Sequence, residues 1–204
     1  MTVTEVKQTR GERCVLVLSD GSVIRTTLSV VADHSLYAGR ELSEAELAEV
    51  AGASRLERAK VRAMNMISAR PMSCRELYDR LAEKGETEQD AAACVEYLLD
   101  LHFLNDADYA AMTVRHYAAK GYGARRIRDE LYRRKVPREL WDEALEQLPE
   151  QDGEIDRLLS HRLRGAAPDD RAAIKKAGDA LVRRGFSWED IKEAIERWRA
   201  ANEE

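Results

Sequence analysis

The residues best placed to do chemistry in this chain are cations. Between positions 115 and 138 stand Arg115, Lys120, Arg125, Arg126, Arg128, Arg133, Arg134, Lys135 and Arg138, opposed only by Asp129 and Glu130. Such a local surplus, in a protein whose net charge is -5, favours a polyanion or an acidic protein surface as partner. Lys175, Lys176, Arg183 and Arg184 form a secondary basic group, partly neutralised by Asp169, Asp170 and Asp179. Catalysis finds no comparable foothold. No Ser-His-Asp or Cys-His constellation, phosphate loop or metal-ligand spacing is visible, and the carboxylates read as helix caps and ion-pair partners. Cys14, Cys74 and Cys94 are odd in number, scattered, and form no ligand spacing with His34, His102, His116 or His161. Reduced thiols, no cofactor, no metal and no enzymatic activity are therefore expected.

The elements that must carry these cations repeat. Leu81, Leu131 and Leu181 recur at a spacing of 50, and three further sets keep the same register: Leu77, Ile127 and Ala177; Val95, Leu145 and Ile195; Leu98, Leu148 and Trp198. A period of this length marks stacked supersecondary units, each too small to bury its apolar face alone. The expected fold is mainly α: three tandem three-helix, helix-turn-helix-like repeats over 55–104, 105–148 and 149–204, after an N-terminal β-hairpin and short helix over 1–54. The hairpin rests on two β-branched runs, Cys14 to Leu18 and Val23 to Leu28, separated by Ser19-Asp20-Gly21-Ser22. Ser43 and Glu46 form a capping box that should open a helix ending near Gly52.

Within the repeats, punctuation is clear. The first has a helix over Leu56–Ala69, halted by Arg70-Pro71; a second from the Ser73/Glu76 capping box to Gly85; and a third after Thr87, presenting Ala91, Val95, Leu98 and Leu99 inward. In the second, Asn105-Asp106 starts helix one, Gly121-Tyr122-Gly123 breaks the chain as a plain turn, and helices follow over Ala124–Lys135 and from Pro137. The third has helices over Ile155–Leu163, Arg171–Arg184 and after Ser187. Gly178 inside the middle one costs about 1 kcal/mol relative to alanine. Trp141 and Trp198 fall at core positions, whereas Trp188 has no assigned place.

With Ile127 and Leu131 inward at 100° per residue, Arg125, Arg126, Asp129, Tyr132 and Arg133 fall on the outer side of the second repeat's middle helix, with Arg128 at its flank. The plainer reading is a solvated helix laced by Arg126–Glu130 and Asp129–Arg133 pairs. Nine bases against two acids favour binding for the group as a whole, though not for any single arginine. With 35% charged and 6% aromatic residues, no apolar run near bilayer length and no signal-peptide core in Met1–Arg10, a cytoplasmic protein with no membrane contact is expected.

Leu101-His102-Phe103-Leu104-Asn105-Asp106-Ala107-Asp108-Tyr109-Ala110, then Gly121-Tyr122-Gly123-Ala124-Arg125-Arg126-Ile127-Arg128-Asp129-Glu130-Leu131, then Arg183-Arg184-Gly185-Phe186-Ser187-Trp188-Glu189-Asp190-Ile191-Lys192, resemble the RecX family. Where that family often closes its second unit with Lys-Gly-Ile, this chain has Lys135-Val136, so the local turn is a candidate to differ. The resemblance implies an elongated, curved repeat protein that docks along the RecA nucleoprotein filament and restrains strand exchange and ATP hydrolysis, within DNA repair, recombination and the SOS response. On that reading the partner is the RecA filament, with weak contact to single- or double-stranded DNA, and the protein is a monomer. The partner-binding set, toward RecA or DNA phosphate, is then Arg115, Lys120, Arg125, Arg126, Arg128, Arg133, Arg134 and Lys135. The alternative is a direct DNA-binding regulator built from helix-turn-helix units, an expectation that rests on architecture alone.

Overall fold

A computed structural model of the protein describes residues 1–202. The chain divides into two units, the first ending at Leu104 and the second beginning at Asn105.

The first unit opens with an antiparallel sheet in the order β1 (Val3–Gln8), β2 (Arg13–Leu18), β3 (Val23–Thr27). The β2–β3 hairpin is the expected one. β1 is an addition, and its signal was masked because a register shift between Val3 and Glu5 breaks the two-residue alternation a half-buried strand would show. Leu16 and Leu18 of β2, with Val3, form the sheet's buried face together with Leu36, Leu42 and Val50. A short helix, α1 (Leu28–Asp33), follows β3 at once, because the Thr27 hydroxyl accepts from the Val30 amide and caps it.

The helix begun by the Ser43/Glu46 capping box does not stop near Gly52. It runs without interruption as α2 (Glu44–Ala69), 26 residues. One glycine costs a helix about 1 kcal/mol, which the packing of Val50 and Ser54 against the sheet and of Ala59 and Ala63 against the first repeat outweighs. The Ser54 hydroxyl donates to Thr26 at 2.8 Å across that contact. α3 (Cys74–Glu83) and α4 (Glu88–Asp100) complete the first three-helix domain with Leu77, Leu81, Cys94 and Leu98 fully buried. Leu99, expected inward, is exposed, and Cys94 occupies the core instead.

The second unit holds two three-helix domains. α5 (Asp106–Ala118), α6 (Ala124–Arg133) and α7 (Trp141–Glu146) form one; α8 (Asp152–Arg162), α9 (Arg171–Arg184) and α10 (Trp188–Ala200) form the other. The third helix of the former is shorter than expected, since a 3-10 turn over Arg138–Leu140 replaces its start after Pro137. Leu131 and Leu181 are fully buried in equivalent cores, as is Leu81 in the first unit. Gly178 serves packing: a Cβ there would press on the ring of Trp188, which lies across the helix yet stays 57% exposed.

Two glycines fix how the second unit's repeats join. The N-terminus of α6 is capped by Gly123, which has no side chain to satisfy the first amides. The C-terminus of α9 supplies the acceptors: the Gly123 amide donates to the Arg184 carbonyl at 3.0 Å and the Arg125 amide to the Gly185 carbonyl at 3.1 Å. The negative end of one helix thus sits on the positive end of another. Only residues without Cβ fit, because a methyl on Gly123 would collide with the Gly185 carbonyl and one on Gly185 with the Arg126 backbone. Gly185 also takes φ +93°, the left-handed cap that glycine adopts without strain.

Candidate functional site

α6 presents Arg125, Arg128, Asp129, Tyr132 and Arg133 to solvent while Ile127, Glu130 and Leu131 are buried. The outer face is therefore close to the expected one, with one exchange. Arg126 is half-buried, its stem packed against Gly185 at the joint, and Arg128 takes the open position. Arg126, Arg128, Tyr132 and Arg133 meet Arg138 and Trp141 in an open groove of about 520 Å³. Arg138 lies 5.8 Å from the Trp141 ring, whose indole N–H donates to the Val136 carbonyl at 3.0 Å. Trp141 was legible only as core. It is half-buried, one side of it completing the groove, and the short α7 that leaves it there could not be anticipated from apolar spacing.

The cations differ in how much they have left to offer. Arg125 carries no side-chain hydrogen bond or ion pair among the described residues. Arg128 reaches Asp142 at 4.0 Å, a pair between exposed side chains that contributes little. Arg133 binds Glu130 at 2.5 Å rather than Asp129. Arg126 does not pair with Glu130, which instead accepts from the Tyr117 hydroxyl at 2.6 Å and faces Arg134 at 3.5 Å.

Arg134 belongs inside the repeat. Its guanidinium donates to the Tyr109 hydroxyl at 2.7 Å and the Tyr117 hydroxyl at 3.4 Å and lies over both rings. Burial works against its charge, but those two hydroxyls outweigh burial and raise its pKa above the usual arginine value. Both of its terminal nitrogens are thus directed to tyrosines inside the repeat. Arg184, of the secondary basic group, also has internal partners: it donates to the Lys120 and Gly121 carbonyls at 3.3 and 3.0 Å and covers the Tyr122 ring, stapling the third repeat to the second.

Of the remaining expected residues, Arg115 is exposed and donates to Gln147 at 3.2 Å, and Lys120 is exposed over the Tyr117 ring. Lys175, Lys176 and Arg183 are exposed on α9. Lys135 is exposed and holds φ +56°, the same left-handed conformation as Gly85 at φ +85°. The turn expected to be a candidate for difference keeps its shape and accepts the strain of a side chain. Cys14 and Cys94 are buried thiols. Burial raises both pKa values, that of Cys94 to about 11, which leaves them poor nucleophiles at neutral pH.

A tandem of three-helix domains, here with a solvent-facing arginine ridge on α6, defines a helical-repeat protein. Its relatives make the class specific. Residues 59–98, 105–145 and 154–195 match the first, second and third three-helix domains of RecX. A regulatory protein RecX of Vibrio campbellii is 34% identical over 137 residues, covering 67% of this chain and 88% of that protein. One from Bacillus licheniformis is 24% identical over 201 residues, covering 96% of this chain and 76% of that one. A crystal structure of a regulatory protein RecX superposes with a TM-score of 0.77 at 23% identity, over 96% of this chain and 98% of that one. RecX from Lactobacillus salivarius gives 0.66 at 22% identity, over 71% and 97%. The chain belongs to the RecX family.

Proposed function

We propose that this protein binds the RecA nucleoprotein filament and restrains its recombinase and ATPase activity, without catalysis of its own. The observation that carries the reading is the exposed face of α6, where Arg125 and Arg128 are the cations least committed to internal partners. The groove beside them adds Tyr132 and Trp141, the residue types that anchor protein interfaces. A filament repeats one surface many times, and a protein built of repeats gains avidity from several modest contacts.

The competing reading, sequence reading of duplex DNA by helix-turn-helix units, has charge against it. In that motif the recognition helix enters the major groove. α4 carries Glu88, Asp90, Glu96 and Asp100 with no base, and α7 carries Asp142, Glu143 and Glu146 with no base. These two third helices would meet phosphates with repulsion, while α10 sets Lys192, Arg197 and Arg199 against four acids and gains no net positive charge.

The test is single-strand-dependent ATP hydrolysis by RecA, with the intact protein and with Arg125→Glu/Arg128→Glu. Inhibition by the former and attenuation in the latter are expected. No inhibition by the intact protein at micromolar concentration would sink the proposal.

A further inference from the structure

Four arginines far apart in the chain converge in the first unit. Arg13 from β2, Arg25 from β3, and Arg58 and Arg62 from α2 line an open cleft of about 480 Å³ where the sheet meets the long helix. Eleven residues line it and none is acidic. Arg62 is neutralised in part, since it pairs with Glu86 and donates to the Lys84 carbonyl. Arg13, Arg25 and Arg58 are exposed and make no side-chain hydrogen bond or ion pair among the described residues. Three uncompensated guanidinium groups held on two rigid elements concentrate positive potential that a bound anion would relieve.

The lining indicates which anion. Planar guanidinium forks suit phosphate and carboxylate alike. A protein partner, however, would need a desolvated apolar or aromatic anchor, and this lining has no aromatic residue and only Val15 and Val61 as aliphatic ones. What accompanies the arginines is Thr9, Thr27 and Asn65, neutral groups of the kind that contact phosphate oxygens. We propose that this cleft binds the sugar-phosphate backbone of a nucleic-acid strand with little regard to base identity, because no aromatic ring lines it and a guanidinium meets the face of any base alike. The cleft owes nothing to α6 or to any recombinase.

Fluorescence anisotropy of the full-length protein alone with labelled oligo(dT) and oligo(dA), titrated with salt, tests it. The two oligonucleotides should bind alike. Arg13→Gln/Arg25→Gln/Arg58→Gln should weaken both and flatten the slope of log affinity against log salt by about 2, at about 0.7 for each phosphate no longer neutralised. The corresponding triple lysine variant, which keeps the charge, should retain most of the slope and separates loss of charge from loss of fold. Failure of the intact protein to bind at low salt, or an unchanged affinity and slope in the triple glutamine variant, would overturn the proposal. So would binding of inorganic tripolyphosphate that the glutamine variant abolishes while oligonucleotide binding persists, since the cleft would then serve a free phosphate. The RecA ATPase test uses other residues, so either reading can fail without the other.

Discussion

Gly123→Ala probes the joint between the second and third repeats without disturbing anything else. Gly123 has φ -80°, which alanine adopts freely, so no intrinsic backbone penalty enters. The added methyl would overlap the Gly185 carbonyl and the Phe186 amide, both main chain, which cannot rotate away. If the joint stays closed, overpacking costs about 1–3 kcal/mol. If it opens, the Gly123 and Arg125 amides lose their acceptors at 3.0 and 3.1 Å, about 1 kcal/mol each, together with the fit of Arg184 on its carbonyls. Both routes converge on a destabilisation of about 2 kcal/mol. Urea unfolding measures the total, and amide exchange of Gly123 and Arg125 separates the routes, since only opening accelerates it. Gly52→Ala is the control: a Cβ there has no neighbour, and replacing a mid-helix glycine should stabilise by about 0.5–1 kcal/mol. A Gly123→Ala protein within about 0.5 kcal/mol of the parent, a typical surface-substitution effect, would show that the helix ends do not meet closely.

Lys135→Gly should stabilise the second repeat by about 1 kcal/mol in urea unfolding by removing left-handed strain, and a loss of stability would argue that the lysine side chain holds the turn. Arg134→Met should destabilise by about 2–3 kcal/mol, because Glu130 stays buried with one cation fewer and two tyrosine hydroxyls lose their donor; stability unchanged on unfolding would contradict its internal role. Burial opposes the charge of Glu76, but Arg70 and Arg80 outweigh it and hold its pKa below the usual carboxylate value. Its stabilising contribution is therefore full above the ordinary glutamate range and lost as pH falls through the folded-state value; in Glu76→Gln the acid limb of stability against pH should flatten.

Much of this was legible because the repeats obey local rules. Leu81, Leu131 and Leu181 kept their register, and Ser43, Ser73, Thr87 and Ser187 each cap a helix where a hydroxyl and a following acid predicted one. What stayed hidden was non-local. Gly121 is a turn glycine by its own φ of +72°, as read, but Gly123 read as part of the same plain turn, since its steric necessity lies far onward in the chain, in the Gly185 carbonyl. Glu130 could not be assigned to Arg133 and Arg134 over Arg126, even with Ile127 and Leu131 placed inward, without knowing that Tyr117 of α5 stands against it. The cleft arginines Arg13, Arg25, Arg58 and Arg62 gave no signal at all, because the segments that hold them are each unremarkable in charge and only the fold sums them. Gly52 misled in the other direction: local propensity marks an end there, and tertiary burial on both sides overrides it.

The uninterrupted α2 rod, 26 residues or about 39 Å at 1.5 Å each, has a further consequence. The strands and the first three-helix domain share one axle, so they cannot swivel as beads on a flexible string would. Their mutual phase is set by a residue count. Inserting a single alanine between Ser54, which grips the sheet, and Arg58 would rotate everything downstream by about 100°. That would part Arg58 and Arg62 from Arg13 and Arg25 while leaving each domain's own interior intact.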